Sequence, residues 1–219
     1  MKKIDLEKIL ARHGVMVTNS HVVYTSGKHG SEYFNKDALY PHTEVIKHLC
    51  EALAASFGDD GEKFEAVIGP VTGGIALSQW TAYALSEMWN QDVLAFYADR
   101  IPGATPEEDQ FVLKRGYDKL IKGKRTLVVE DVLTTGGSVR KVVNASRICG
   151  AQIMAVGALC NRGKVTTGMI SDPPKLESLW NLDLKAYDAD VCPFCKAGIP
   201  INTDVGKGKE FLVRQRSGN

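Results

Sequence analysis

The chain has almost no net charge, too few cysteines for a covalent framework and no long apolar run. Its 27 Lys and Arg stand against 26 Asp and Glu, a formal net charge of +1 over 219 residues. No global field therefore draws in nucleic acid or an anionic membrane, and any anion site must be built locally. The five cysteines, Cys50, Cys149, Cys160, Cys192 and Cys195, are odd in number, and three sit inside apolar stretches like ordinary small core residues. A disulfide scaffold is not expected. No apolar run approaches the roughly 18 residues of a membrane span. Met1-Lys2-Lys3-Ile4-Asp5-Leu6-Glu7 places acidic residues where a secretory leader would be apolar, so a soluble, cytoplasmic protein is expected. Repeats and low-complexity blocks are absent too. So is a Gly-x-x-x-x-Gly-Lys-Ser/Thr string, which disfavours a Walker-type nucleotidase.

What is present is an alternation of short buried strands and helices. Val45, Ile46, Leu49, Cys50, Leu53 and Phe57 fall at helical spacing, and Ala66-Val67-Ile68 then reads as a buried strand. The pattern predicts a helix over 75–89, strands over 93–97 and 126–129, a helix over 138–149 and a strand over 153–160. Strands separated by helices imply right-handed crossovers and an α/β fold, a parallel central sheet flanked by helices. The ends read differently. Ile4, Leu6, Ile9 and Leu10 mark a short helix and Val22-Val23-Tyr24 a strand, whereas the text beyond Arg162 is irregular and 205–219 is expected to be partly disordered. One domain follows, with a core over about 41–162 and a small hood from 1–40 and 163–219. Asp99 to Gln110, polar and holding Pro102, Gly103 and Pro106, reads as a mobile loop.

The chemistry concentrates at Glu130-Asp131-Val132-Leu133-Thr134-Thr135-Gly136-Gly137-Ser138. An apolar strand ends in two carboxylates and turns through glycines into a helix, where backbone N–H groups and the helix dipole favour a phosphate. Thr134, Thr135 and Ser138 add hydroxyl donors, and Gly136 and Gly137 let the backbone come close. Carboxylates beside a phosphate would repel it unless they served polyol hydroxyls or a metal. A sugar phosphate satisfies both halves. Gly69-Pro70-Val71-Thr72-Gly73-Gly74 repeats the strand–turn–helix arrangement earlier in the chain.

The first string resembles the 5-phosphoribosyl-1-pyrophosphate signature of type I phosphoribosyltransferases, and the second is similar to the pyrophosphate loop of that family. The resemblance implies that Glu130 and Asp131 take the ribose hydroxyls. It gives the 5-phosphate to Thr134, Thr135, Gly136, Gly137 and Ser138, and the pyrophosphate to Thr72, Gly73 and Gly74. Tyr24 to Lys36 resembles the segment before the core in orotate phosphoribosyltransferases, which implies that Tyr33 and Phe34 stack on the base while Lys36 approaches its charge or the pyrophosphate. Arg162 follows the last strong strand where that family places an arginine on orotate, and its fork suits a planar carboxylate. The usual lid string Arg-Lys-x-x-Lys-x-His-Gly is missing, and Thr25 stands where many orotate enzymes have lysine. Arg100 and Lys114 are the candidates for the pyrophosphate-side cation. The resemblance further implies transfer of the phosphoribosyl group to a base, most like orotate, with Mg2+ carried by the substrate rather than by a dedicated protein site, in a homodimer without nucleic-acid or membrane partners.

Two alternatives share these motifs: a purine phosphoribosyltransferase, and a regulator that binds phosphoribosyl pyrophosphate without turnover. The latter would need a DNA-binding segment, and the residues before Tyr24 offer only one short helix. Cys192-Pro193-Phe194-Cys195 stands apart. A tetrahedral zinc site needs about four ligands, and no second C-x-x-C or histidine pair follows it, unless a dimer mate supplies them. Nor does the motif read as opening a helix after a strand, as a redox pair would.

Overall fold

Val67, Ile68, Leu127, Val128, Val156 and Leu159 are wholly buried, the double-sided burial that a central parallel sheet demands. The computed structural model describes residues 6–58, 63–103, 105 and 108–217. The chain forms two units, one of residues 43–182 and one joining the N-terminal segment through His42 to the C-terminal segment from Asp183.

The core unit runs α1 (Thr43–Ala55), β1 (Ala66–Pro70), α2 (Gly73–Trp89), β2 (Leu94–Ile101), β3 (Gln110–Val112) and α3 (Tyr117–Leu120). It continues through β4 (Arg125–Leu133), α4 (Gly137–Ile148), β5 (Gln152–Asn161) and β6 (Lys175–Asn181). The sheet order is β6-β5-β4-β1-β2-β3, parallel throughout except for the β2–β3 hairpin. From β1 the chain moves outward to β2 and β3. It then returns to lay β4 on the other flank of β1 and moves outward again through β5 and β6. Chain direction across the sheet thus reverses between β1 and β4, and open α/β sheets bind ligands in the crevice outside the carboxyl ends of such a pair. Both glycine-rich turns leave the sheet there.

Helix α1 buries the stripe Ile46, Leu49, Cys50 and Leu53, as its apolar spacing predicts. Each fully buried aliphatic side chain of this kind contributes about 1.5–3 kcal/mol. No helix among the described residues is long and apolar enough to cross a membrane.

The structure departs from the sequence reading in several places. The sheet does not stop at Arg162. Lys175–Asn181 adds an edge strand parallel to β5, so the core unit runs to Leu182. Its intermediate burial lacks the continuous apolar run of an inner strand, which is why the pattern hid it. Asp99 to Gln110 is not a loop throughout. Asp99, Arg100 and Ile101 close β2 and pair with Val112, Phe111 and Gln110 across the hairpin. Buried Phe111 and Leu113 anchor its return strand. Within the connection, residues 104, 106 and 107 lie outside the described residues, as do Ile4 of the first predicted helix and residues 218 and 219.

In the terminal unit, Leu6–Arg12 is helical, Met16–Val17 pairs antiparallel with Tyr33–Phe34, and Val22–Val23 pairs antiparallel with His29–Gly30. The C-terminal segment is tied to this hairpin by backbone bonds: His29 and Tyr187 exchange two N–H···O bonds of 2.8 Å, and Asn202 N–H donates to the His21 carbonyl at 2.7 Å. Two further expectations change here. Gly208–Ser217 is a helix rather than irregular tail, and Cys192 caps a one-turn helix, Pro193–Lys196, although no strand leads directly into it.

Candidate active site

The turn after β4 is shaped by Gly136, which caps α4 at φ 74°. A Cβ there would come within 2.6 Å of Ile170 Cγ2, so both conformation and space call for glycine. At the turn after β1, a Cβ on Gly69 or Gly74 would lie 2.7 Å from the backbone of the other. Strand end and helix start are therefore in direct backbone contact. Thr72 stands at the N-cap of α2, with Gly73 and Gly74 as its first residues. The first turns of α2 and α4 thus begin at the crevice, the placement that suits phosphate, with the Gly137 N–H donated to Thr135 Oγ1 at 3.4 Å.

Glu130 and Asp131 are buried, 9% and 7% exposed. They sit inside β4 rather than after its end, because pairing with β5 continues through Glu130↔Ala158, Val132↔Cys160 and Leu133↔Asn161. Each carboxylate accepts a neighbouring amide. Glu130 Oε1 takes the Asp131 N–H at 3.0 Å and Asp131 Oδ1 takes the Val132 N–H at 2.7 Å.

Arg162 is held beside the start of the phosphate loop. Its N–H and that of Gly163 both donate to the Leu133 carbonyl at 3.1 Å, and a Cβ on Gly163 would overlap the Thr134 carbonyl oxygen. The Asn161 side chain closes the turn, donating to the Val165 carbonyl at 2.9 Å and accepting its N–H at 3.0 Å. Beneath lies Cys160, whose thiol burial pushes up to about 12, with Arg162 pulling it down and Asp131 pushing it up. Cys50 is likewise pushed up to about 12 by burial. Neither thiol is a nucleophile at neutral pH.

A cleft of about 510 Å3 opens over the loop, lined by Thr135, Gly137 and Ser138 with Val71, Arg100, Asp109, Phe111, Arg140 and Lys141. Three cations there face one carboxylate. Asp109 accepts the Gly103 N–H at 2.9 Å and meets Arg100 Nη2 at 2.5 Å. The Gly103 amide and the Arg100 guanidinium, with Lys141 beyond, hold its carboxyl below the usual range.

The core unit thus brings together Glu130, Asp131, Thr134, Thr135, Gly136, Gly137, Ser138, Thr72, Gly73, Gly74 and Arg162 at the β1–β4 reversal, with Arg100 on the cleft wall. Lys114 is exposed beyond β3 and does not line the cleft. Tyr33, Phe34 and Lys36 belong to the terminal unit. Phe34, 2% exposed, has no face open to a base, whereas Tyr33 is half-buried. Lys36 Nζ lies 3.2 Å from Asp37 Oδ1 and over the Tyr40 ring.

Asp109, Arg140 and Lys141 were not legible as site residues from the motifs. One signal pointed to the last two. A helix N-terminus ordinarily takes acidic residues, and the first turns of α4 carry Arg140 and Lys141 with no acid, which suits an anion bound there.

Two glycine-rich turns and a buried carboxylate pair meet at the reversal of the parallel sheet, and the sequence profile of the phosphoribosyl transferase domain matches residues 35–175, which makes the chain a member of the phosphoribosyltransferase class. An orotate phosphoribosyltransferase of Pelotomaculum thermopropionicum is 36% identical over 91% of this chain and 95% of its own length. One of Thermotoga maritima is 34% identical over 93% and 98%. The crystal structure of orotate phosphoribosyltransferase from Aeropyrum pernix is similar with a TM-score of 0.63 at 25% identity, covering 81% of this chain and 93% of that one. The chain belongs to the orotate phosphoribosyltransferase family.

Proposed function

We propose that the protein transfers the 5-phosphoribosyl group of 5-phosphoribosyl-1-pyrophosphate to orotate, giving orotidine 5′-monophosphate and pyrophosphate. The observation that carries this reading is the buried pair Glu130 and Asp131 set immediately before the glycine-capped start of α4. The choice of orotate rests on the curated relatives and on Arg162, whose backbone is fixed beside the loop.

In such a transfer, C1 of the ribose develops positive charge while the pyrophosphate gathers negative charge, so catalysis rests on positioning and electrostatics rather than a protein nucleophile. Glu130 and Asp131 orient the ribose through its hydroxyls. The α4 amides, Thr135 and Ser138 hold the 5-phosphate, with Arg140 and Lys141 balancing its charge. The α2 amides at Thr72 to Gly74 receive the leaving pyrophosphate, and Arg100 serves as the cation on the cleft wall. Orotate is anionic at neutral pH, which lessens the demand for a general base. Two buried carboxylates beside a phosphate cradle offer hard oxygen donors that suit Mg2+, which when bound would offset the charge on the pyrophosphate. A cytoplasmic homodimer completes the proposal, on the family resemblance.

Incubation with orotate, 5-phosphoribosyl-1-pyrophosphate and Mg2+ should give orotidine 5′-monophosphate, followed by chromatography. Omitting any one component should abolish it. Pyrophosphate release without the nucleotide would contradict the reading.

A further inference from the structure

Four side chains of the terminal unit, remote in sequence, converge on one point. His21 Nε2 and His29 Nδ1 are 2.9 Å apart, and Cys195 Sγ lies 3.3 Å from His29 Nδ1 and 3.6 Å from His21 Nε2. Cys192 Sγ lies 3.7 Å from His21 Nε2, and all four ligand atoms fall within 4.8 Å of one another. Zn–N bonds of about 2.0–2.1 Å and Zn–S bonds of about 2.3 Å give a tetrahedron with edges of about 3.3 Å (N–N), 3.6 Å (N–S) and 3.8 Å (S–S). The N–N separation of 2.9 Å and the N–S separations of 3.3, 3.6 and 3.7 Å fall close to those edges, and no two of the four ligand atoms lie more than 4.8 Å apart.

The local structure explains the convergence. In the hairpin, Val23 pairs with His29, and His21, two residues before Val23 on the same face, is the diagonal neighbour of His29. Cys192 caps the one-turn helix and Cys195 lies three residues on, so both thiols face the same side. His21, His29 and Cys192 are each no more than 1% exposed. Phe194 packs against His21 at 5.7 Å between ring centroids, and Phe211 against His29 at 4.8 Å.

The protonation pattern agrees. His21 Nδ1 is 2.7 Å from the Ile199 carbonyl oxygen, which can only accept. Nδ1 therefore carries the hydrogen, and the bare Nε2 turns its lone pair to the cluster, the outer hydrogen bond characteristic of a metal-ligating histidine. Without a metal the two histidines would share one hydrogen bond and the thiols would gain only weak contacts. Two thiolates and two neutral imidazoles around one divalent cation make a neutral unit, the form in which such a set is stable when buried.

We propose that His21, His29, Cys192 and Cys195 form a structural zinc site that staples the C-terminal segment to the N-terminal hairpin. Four protein ligands leave no open position, so the site is closed to substrate. It joins residues up to 174 positions apart, a span whose closure would otherwise cost chain entropy. Its role is to hold together the unit that carries Tyr33 and Lys36.

The full-length protein, expressed with zinc and purified without chelators, should contain about one zinc per chain by mass spectrometry of the metal. Exchange into Co2+ should give the intense visible bands of tetrahedral cobalt and a thiolate-to-cobalt charge-transfer band. Chelation should lower Tm and expose both cysteines to alkylation, and Cys195→Ser, the least buried ligand, should lose the charge-transfer intensity in part and bind zinc more weakly. All these readouts are independent of turnover. A wild-type protein that retains no zinc and takes up no Co2+, or one whose cobalt spectrum is octahedral without thiolate bands, would overturn the proposal.

Discussion

Arg162→Ala should raise the KM for orotate by about 100-fold or more, since truncating one partner of a buried charge pair costs about 2–5 kcal/mol. The KM for 5-phosphoribosyl-1-pyrophosphate should move little. Orotate differs from purines in its carboxylate, and a guanidinium fork pairs with that group bidentately. The turn that carries Arg162 is held by its backbone N–H on Leu133 and by the Asn161 side chain, so truncation beyond Cβ leaves the clamp intact. Steady-state kinetics varying each substrate in turn decide the point. An equal rise in both constants would place Arg162 in support of the loop rather than on the base.

Asp131→Asn should lower kcat/KM by about 10- to 150-fold, the equivalent of the ~1.5–3 kcal/mol lost with a hydrogen bond to a charged group. The asparagine oxygen can still accept the Val132 N–H that Asp131 Oδ1 accepts at 2.7 Å, so the fold should survive. Thermal unfolding alongside kinetics separates the two effects. A variant with wild-type Tm and unchanged turnover would remove Asp131 from the site.

The phosphate loop was readable because its chemistry is contiguous: carboxylates, hydroxyls and glycines follow one another along a single strand–turn–helix connection. For the same reason the α/β alternation was legible from Ala66 to Asn161, with strand and helix limits that the structure shifts by a few residues. Edge elements were harder. Lys175–Asn181 is half-buried and has no continuous apolar run, and β2 extends to Ile101 by pairing with a three-residue strand that no local period announces. Features made by distant residues were hidden further. Arg100 finds Asp109 across a hairpin, and the histidines nearest Cys192 and Cys195 come from far upstream rather than downstream. Phe34 shows the limit of an aromatic motif, since the sequence does not say which of two adjacent rings packs inward.

On the proposed function, this site transfers phosphoribosyl groups to orotate in preference to purines. The most direct measurement is Mg2+-dependent pyrophosphate release from 5-phosphoribosyl-1-pyrophosphate with orotate, adenine, guanine and hypoxanthine offered singly at equal concentration. Release should occur with orotate and be at least about 100-fold slower with each purine, because a site built to pair with a charged group discriminates strongly against a base that lacks it. Faster release with a purine than with orotate would contradict the account.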